Sequence, residues 1–420
     1  MISTFSFVFL HVLCFHVFKS KFVYPLYINM VKFDFDEIVD RRNTGSEKWD
    51  GGNVEGVLPM WVADMDFRTA PCVIEALRSR VGHGVFGYEH VPDSYYDALV
   101  GWFNRRHGWL MKREWVIYTS GVVPAVSAII KAMTSPGDKV LVQTPVYNCF
   151  FSSIRNNGCL LEDNRLVYAD GTYTIDFEDF ERKAADPSVK VFLLCNPHNP
   201  AGRVWTSDEL RRMGDICLKH NVFVISDEIH CDLVMPGYKY TPFASLSEEF
   251  LMNSATCTAP TKTFNIAGLQ IANITAADDS VRRRIDKAIN INEVCDVGVF
   301  GVTALTAAYT GGEEWLDQLI CYIKGNYDSL RDFLASNIPQ IQAVRLEGTY
   351  LVWLDCSVLG KSSETITGEL LSQKKLWLNS AGMYGEHERP FVRMNIACPR
   401  SVMLKGLQLL ADYVKDVLRQ

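Results

Sequence analysis

From about residue 94 to residue 308, short apolar runs alternate with amphipathic stretches. The apolar runs at 116–119, 139–143, 189–195, 222–227, 255–258 and 269–275 read as strands. Helical patterns lie between them, such as 207–220, with Ser207 as N-cap and acids in the first turn. Strands alternating with helices predict a mostly parallel sheet covered on both faces, and the wholly apolar strand interiors fit that better than a one-sided sheet. A long helical stretch follows at 280–337. Then come strand patterns at 343–355 and 390–397, and a closing helix at 401–418 with apolar residues at helical spacing. This second part predicts a smaller α+β domain joined through the long helix. No internal repeat or low-complexity tract interrupts the pattern.

At 420 residues, with 48% of them hydrophobic, the chain can bury a large core, and its length suggests two to three domains. A net charge of -7 argues against a nucleic-acid partner, which calls for a clustered basic surface. The twelve cysteines stand singly, without a CxxC pair. They suit buried thiols in a reducing cytoplasm better than a disulfide framework or a zinc site, so no metal is expected. The apolar segment from Phe5 to Phe18 has 14 residues, short of the roughly 20 that a membrane helix needs. It lacks a basic leader and a small-x-small cleavage site, and Lys19 and Lys21 follow it instead. Globular patterning begins after Met30. Residues 1–29 therefore read as an extension outside the fold with Met30 as the start, and membrane targeting is the second reading. No stable membrane insertion is expected.

Candidate chemistry sits at strand ends. Lys262, in APTKTFNIAG, is a lysine among hydroxyls and small residues that could form an imine with an aldehyde cofactor once burial makes it neutral; taken alone, it reads more readily as a surface lysine. Asp227, in VFVISDEIH, ends an apolar strand, where open parallel sheets bind ligands. A carboxylate there could keep a pyridine nitrogen protonated, or simply cap the next segment. Asn199 lies in CNPHNPAG, a turn that would aim its amide over the strand ends, though the same dipeptides occur in ordinary loops. Thr119-Ser120-Gly121-Val122 is a strand, a glycine and a helix start, a place for a phosphate. No GxGxxG or Walker lysine is present, which weakens dinucleotide and nucleotide readings. Tyr147 could stack on a planar ring or pack in the core. Arg393, inside an apolar strand, could fork onto a substrate carboxylate or belong to a structural ion pair.

Taken in order, these residues resemble the fold-type I pyridoxal-phosphate enzymes, the aspartate-aminotransferase superfamily, over roughly Phe33 to Leu418. LPMWVADMDF (58–67), FGY (86–88), SDEIH (226–230) and NIACPR (395–400) resemble the MalY/PatB subgroup of cystathionine β-lyases. The resemblance implies an α/β fold, with a mostly parallel seven-stranded sheet in a large domain at 76–315. It implies an N-terminal arm with part of the small domain at 30–75, and the rest of the small domain at 316–420. The implied cofactor is pyridoxal 5'-phosphate. Lys262 would bind it covalently, Asp227 would pair with its ring nitrogen, Asn199 would contact its phenolic oxygen and Tyr147 would stack on the ring. Gly121, Val122 and Thr261 would hold the phosphate, with Tyr88 reaching it from the second subunit of a homodimer that shares its active sites. Arg393 would take the α-carboxylate of a small amino-acid substrate, with Asn199 and Tyr88 nearby. His230 stands where many aminotransferases have a tyrosine, and Gln270 where many have a phosphate-binding arginine. The implied activity is β-elimination from cystathionine or another cysteine S-conjugate, in the cytoplasm. Aminotransfer is the alternative within the family, and a cofactor-binding regulator acting through a protein partner is the alternative from another class.

Overall fold

The computed structural model describes residues 32–419 apart from 53, 54, 292, 294 and 295. The chain divides into units 1–33 and 34–420, and the second holds every element named below. The expectations for residues 1–29 fall outside the described residues.

Seven strands build the main sheet: β1 (Val116–Thr119), β2 (Lys139–Val142), β3 (Leu160–Asp163), β4 (Val189–Cys195), β5 (Phe223–Asp227), β6 (Ser254–Thr258) and β7 (Ala272–Thr275). Their spatial order is β1-β7-β6-β5-β4-β2-β3. Strand β7 runs antiparallel to both neighbours, and the other pairs are parallel. The helices that matter below are α1 (Asp93–His107), α2 (Val122–Met133), α3 (Ser207–Lys219), α4 (Asp279–Asn290), α5 (Val299–Gly311), α6 (Glu313–Asn337) and α7 (Arg400–Leu418).

The apolar strand runs have a direct cause. Along β4, Val191, Leu193 and Cys195 enter one core cluster with α2, whereas Phe192 and Leu194 enter another with α3. Val140 and Val142 divide from Leu141 in the same way, as Phe223 and Ile225 divide from Val224. Successive strand side chains point to opposite faces, so covering both faces demands apolar residues throughout.

In this part of the fold three expectations change in detail, and one strand was not expected. The run at 269–275 forms a strand only from Ala272, because Ala267–Leu269 is a 3-10 turn and Gln270 takes a left-handed φ of 51°. Thr206, not Ser207, caps α3; its hydroxyl accepts from Glu209 N–H while the Glu209 carboxylate accepts from Thr206 N–H, a reciprocal pair. The stretch at 280–337 is three helices, broken before Gly298 and again at Gly312. Gly312 has Phe264 and the Ala308 carbonyl pressed where a side chain would begin. Strand β3, an edge strand with exposed Leu160 and Leu161, had no clear apolar signal.

A second, antiparallel sheet contains β8 (Gln342–Ala343), β9 (Leu351–Asp355), β10 (Asn379–Ser380) and β11 (Phe391–Asn395), in the order β8-β9-β11-β10. The expected strand at 343–355 is interrupted by a loop in which Thr349 has φ 69°. Trp353 of β9 and Phe391 of β11 pack into the same cluster as α3, which fixes this sheet against the main one. Leu58–Pro59 pairs in parallel with Leu376–Trp377 and so brings residues 60–66 to the junction of the two sheets.

Candidate active site

Strands β1, β4, β5 and β6 end at Thr119, Cys195, Asp227 and Thr258, on one edge of the main sheet. The loops leaving that edge enclose a cavity of about 190 Å³. Of the residues singled out in the sequence, Gly121, Val122, Tyr147, Asn199, Asp227, His230, Thr261, Lys262 and Gln270 line it. Ligand sites outside strand carboxyl ends are the rule in open α/β sheets.

Lys262 follows β6 and is half-buried. Its Nζ donates to the Ala63 carbonyl at 2.6 Å, an oxygen that also accepts from the Tyr350 hydroxyl at 3.0 Å. Burial, then the charge of Arg393, lower its amine to about 8, against the opposing pull of Asp64 and Asp227. Asp227 is buried at the end of β5 and accepts from Ile229 N–H at 3.1 Å. Burial pushes its carboxyl up to about 7; the Ile229 N–H pulls the other way.

Arg393, in the middle of β11, reaches the same place from the second sheet. Its Nη1 donates to Asn199 Oδ1 at 3.1 Å and its Nη2 to the Trp61 carbonyl at 2.7 Å, and its guanidinium lies 4.9 Å from the Tyr384 ring centre. No carboxylate pairs with it among the described residues, so the structural ion pair left open by the sequence is not formed. Its Nε has no partner among the described residues despite burial.

His230 is buried with Nδ1 unpartnered and its ring edge-on to Tyr350. Burial, then the charges of Lys262 and Arg393, drive its imidazole down to about 3, so it is neutral at physiological pH. Gly121 caps α2, and that helix presents its unpaired first N–H groups at the cavity wall. Burial raises the Tyr147 hydroxyl well above its ordinary range. Tyr88 is not brought to this cavity. It is 94% exposed and lines a separate depression with Arg80 and Glu89.

Several wall elements went unassigned in the sequence. The carbonyls of Trp61 and Ala63 belong to a segment held by side-chain amides: Asn395 Nδ2 donates to Val62 and Asp64 carbonyls, each at 2.6 Å. Asn265, three residues after Lys262, exchanges hydrogen bonds with Met65 and donates to the Phe67 carbonyl. Beneath it, Arg41 and buried Lys48 pair with Asp64 and Asp66. The segment lies inside the WVADMD run that carried the family resemblance, and that was its only signal.

Residues 56–408 match the family described as aminotransferase class I and II. The chain belongs to that family. It is 44% identical over 379 residues to cystathionine β-lyase PatB of Bacillus subtilis, covering 89% of this chain and 98% of PatB. It is 36% identical to protein MalY of Escherichia coli, covering 92% of this chain and all of MalY. Among solved structures, cystalysin from Treponema denticola, which contains a pyridoxal 5'-phosphate cofactor, is 36% identical. It superposes with a TM-score of 0.89 over 92% of this chain and all of cystalysin. The architecture is therefore fold type I, and the sequence resemblance named the correct family.

Proposed function

We propose that this chain is a pyridoxal-phosphate-dependent carbon–sulfur β-lyase, cleaving cystathionine or a related cysteine S-conjugate to a thiol, pyruvate and ammonia. The observation that carries it is the meeting of Lys262, Asp227 and Asn199 in one cavity, with Arg393 bound to Asn199. Elimination is preferred to aminotransfer because of the extended similarity to PatB.

The cavity suits the cofactor. Asp227 is a buried acid whose raised pKa a cationic ring nitrogen would offset. His230 offers an unpartnered nitrogen, and the start of α2 offers N–H groups for a phosphate. Lys262 would hold the aldehyde carbon, Asn199 the phenolic oxygen and Tyr147 the ring face, while Gly121, Val122 and Thr261 would hold the phosphate. Gln270 brings no charge to that phosphate, so the helix start and hydroxyls carry the load.

When bound, the cofactor supplies a sink for the electron pair left at the substrate Cα. Asp227 keeps the ring nitrogen protonated. Arg393 grips the α-carboxylate and so turns the Cα–H bond toward Lys262. Lys262 Nζ, lowered to about 8 and so more readily neutral than an ordinary lysine, takes that proton. The Cβ–sulfur bond then breaks, the thiolate leaves with a proton, and water converts the remaining three-carbon unit to pyruvate and ammonia.

Tyr88 completes the phosphate site of a partner copy in a homodimer, a role supported by its exposure away from its own cavity. In this reading residues 30–75 would supply an N-terminal arm and part of the small domain, 316–420 the rest of it, and 76–315 the large domain. A cytoplasmic setting is supported by ten unpaired cysteines among the described residues, none of which has a helix long and apolar enough to cross a membrane. The test is a product assay with cystathionine, with and without a keto acid. Pyruvate release independent of the keto acid is expected. A new amino acid formed only with the keto acid would establish aminotransfer instead.

A further inference from the structure

On the far side of the Lys262 loop, three residues with metal-binding side chains converge that no sequence spacing joins. His107 ends α1, while Cys231 and Asp232 lie in the turn beyond β5. His107 Nε2, Cys231 Sγ and an Asp232 carboxylate oxygen all lie within 4.8 Å of one another. They open on a depression of about 620 Å³, also walled by Arg106, Tyr240 and Glu313.

The Asp232 carboxylate is already oriented. Its Oδ1 accepts from Trp102 Nε1–H at 3.0 Å and lies 2.8 Å from His107 Nε2, and its Oδ2 accepts from the Thr263 hydroxyl at 3.1 Å. Trp102 is itself clamped by stacking on Tyr309 at 4.8 Å. Such outer partners fix ligand orientation in metal sites. A thiolate and a carboxylate together carry two negative charges, which one divalent cation neutralises. The fit in size follows from ordinary zinc bonds of ~2.0–2.3 Å, which set tetrahedral ligand edges near 3.5 Å. The His107–Asp232 contact would widen by several tenths of an ångström, and Cys231 would close inward.

We propose that His107, Cys231 and Asp232 form a second site, separate from the lyase cavity, for a zinc-type divalent cation, with its fourth position open to the depression. The cation replaces only the His107–Asp232 hydrogen bond; Trp102 and Thr263 keep theirs. His107 binds through Nε2 with its proton on Nδ1, and the Cys231 thiol gives its proton to solvent, so one proton leaves per cation bound. Thr263 adjoins Lys262, so the site touches the lysine loop through Asp232 without entering the catalytic cavity.

The test uses chelator-treated holoenzyme dialysed against Zn2+, followed by metal analysis and proton-release titration. About one Zn2+ per chain and one proton per Zn2+ are expected. Replacement by Co2+ should give the intense red-region ligand-field bands of a tetrahedral thiolate site. His107→Ala and Cys231→Ser should each abolish the stoichiometric Zn2+. Trp102→Phe, which removes only an orienting partner, should weaken binding by roughly 10–100-fold. Retained turnover reports that each variant is folded, and if His107→Ala fails to fold, the near-isosteric Cys231→Ser decides. Absence of stoichiometric Zn2+ in the unaltered enzyme, or its persistence in Cys231→Ser, overturns the proposal.

Discussion

Two residues of the cavity hold opposite and uncomfortable protonation states. The raised pKa of Asp227, from 3.8 to about 7, means that ionising it inside the fold is costly. Below pH 3.8 both folded and unfolded chains hold the proton and no penalty exists. The penalty grows as pH rises through the gap and is fully present above about 7, on the order of 4 kcal/mol. Cofactor-free Asp227→Asn should therefore melt at a higher temperature than the unaltered protein at pH 7.5, with the difference vanishing near pH 4. The same variant should lose turnover, because an amide cannot keep the ring nitrogen protonated. Lys262→Ala should abolish borohydride-sensitive absorbance and lower turnover by at least the roughly 100–10,000-fold that a positioned proton acceptor provides; full activity in that variant would remove Lys262 from the mechanism. Arg393→Lys should weaken cystathionine and simple cysteine conjugates alike, by about 2–5 kcal/mol, since an ammonium cannot reproduce the planar fork. A loss confined to one substrate would show that Arg393 reads the distal end. Aspartate and arginine were legible in the sequence because each is out of character in an apolar strand, and the lysine because it stands among hydroxyls and small residues in a motif of the family resemblance. The Ala63 carbonyl was not, because a backbone oxygen leaves no mark in residue identity.

Among elements, the segment at 61–67 behaves as part of the cavity wall although it has no regular structure. It is held by three asparagines, Asn265 from the lysine loop, Asn379 of β10 and Asn395 at the end of β11. Asn395→Ala leaves the Val62 and Asp64 carbonyls short of a donor and should cost about 1–3 kcal/mol of stability, read by denaturant unfolding. Asn395→Asp should not rescue it, because a carboxylate presents acceptors to acceptors. Rescue by aspartate would mean that the amide donates nothing essential. Strands β2, β4 and β5 were readable because burial on both faces writes an unbroken apolar run. Strand β3 was not, since its edge position leaves leucines in water. The break between α5 and α6 was also hidden, because Gly312 interrupts the backbone without interrupting the apolar spacing.

At the scale of the whole molecule, Tyr88 sits in a surface stretch with exposed Val81, Val85 and Phe86. A monomer gives those side chains no reason to face water together, whereas a two-fold interface would cover them. If Tyr88 serves the partner's phosphate site, Tyr88→Phe and Lys262→Ala, each impaired, should recover activity when mixed and re-associated. Subunit exchange proven by mass and without recovery would end the shared-site reading, as would a monomer in sedimentation.

Asn199 hangs from the end of β4 and Arg393 from the middle of β11, and one hydrogen bond of 3.1 Å spans the two sheets between them. In mechanical terms this contact is a rivet between two plates. A carboxylate ligand that takes hold of Arg393 while its other end rests on the main sheet becomes a second rivet beside the first. Resistance to shear between the plates, and with it the rate at which amide protons exchange along β9 and β11, then depends on how fully the ligand is loaded.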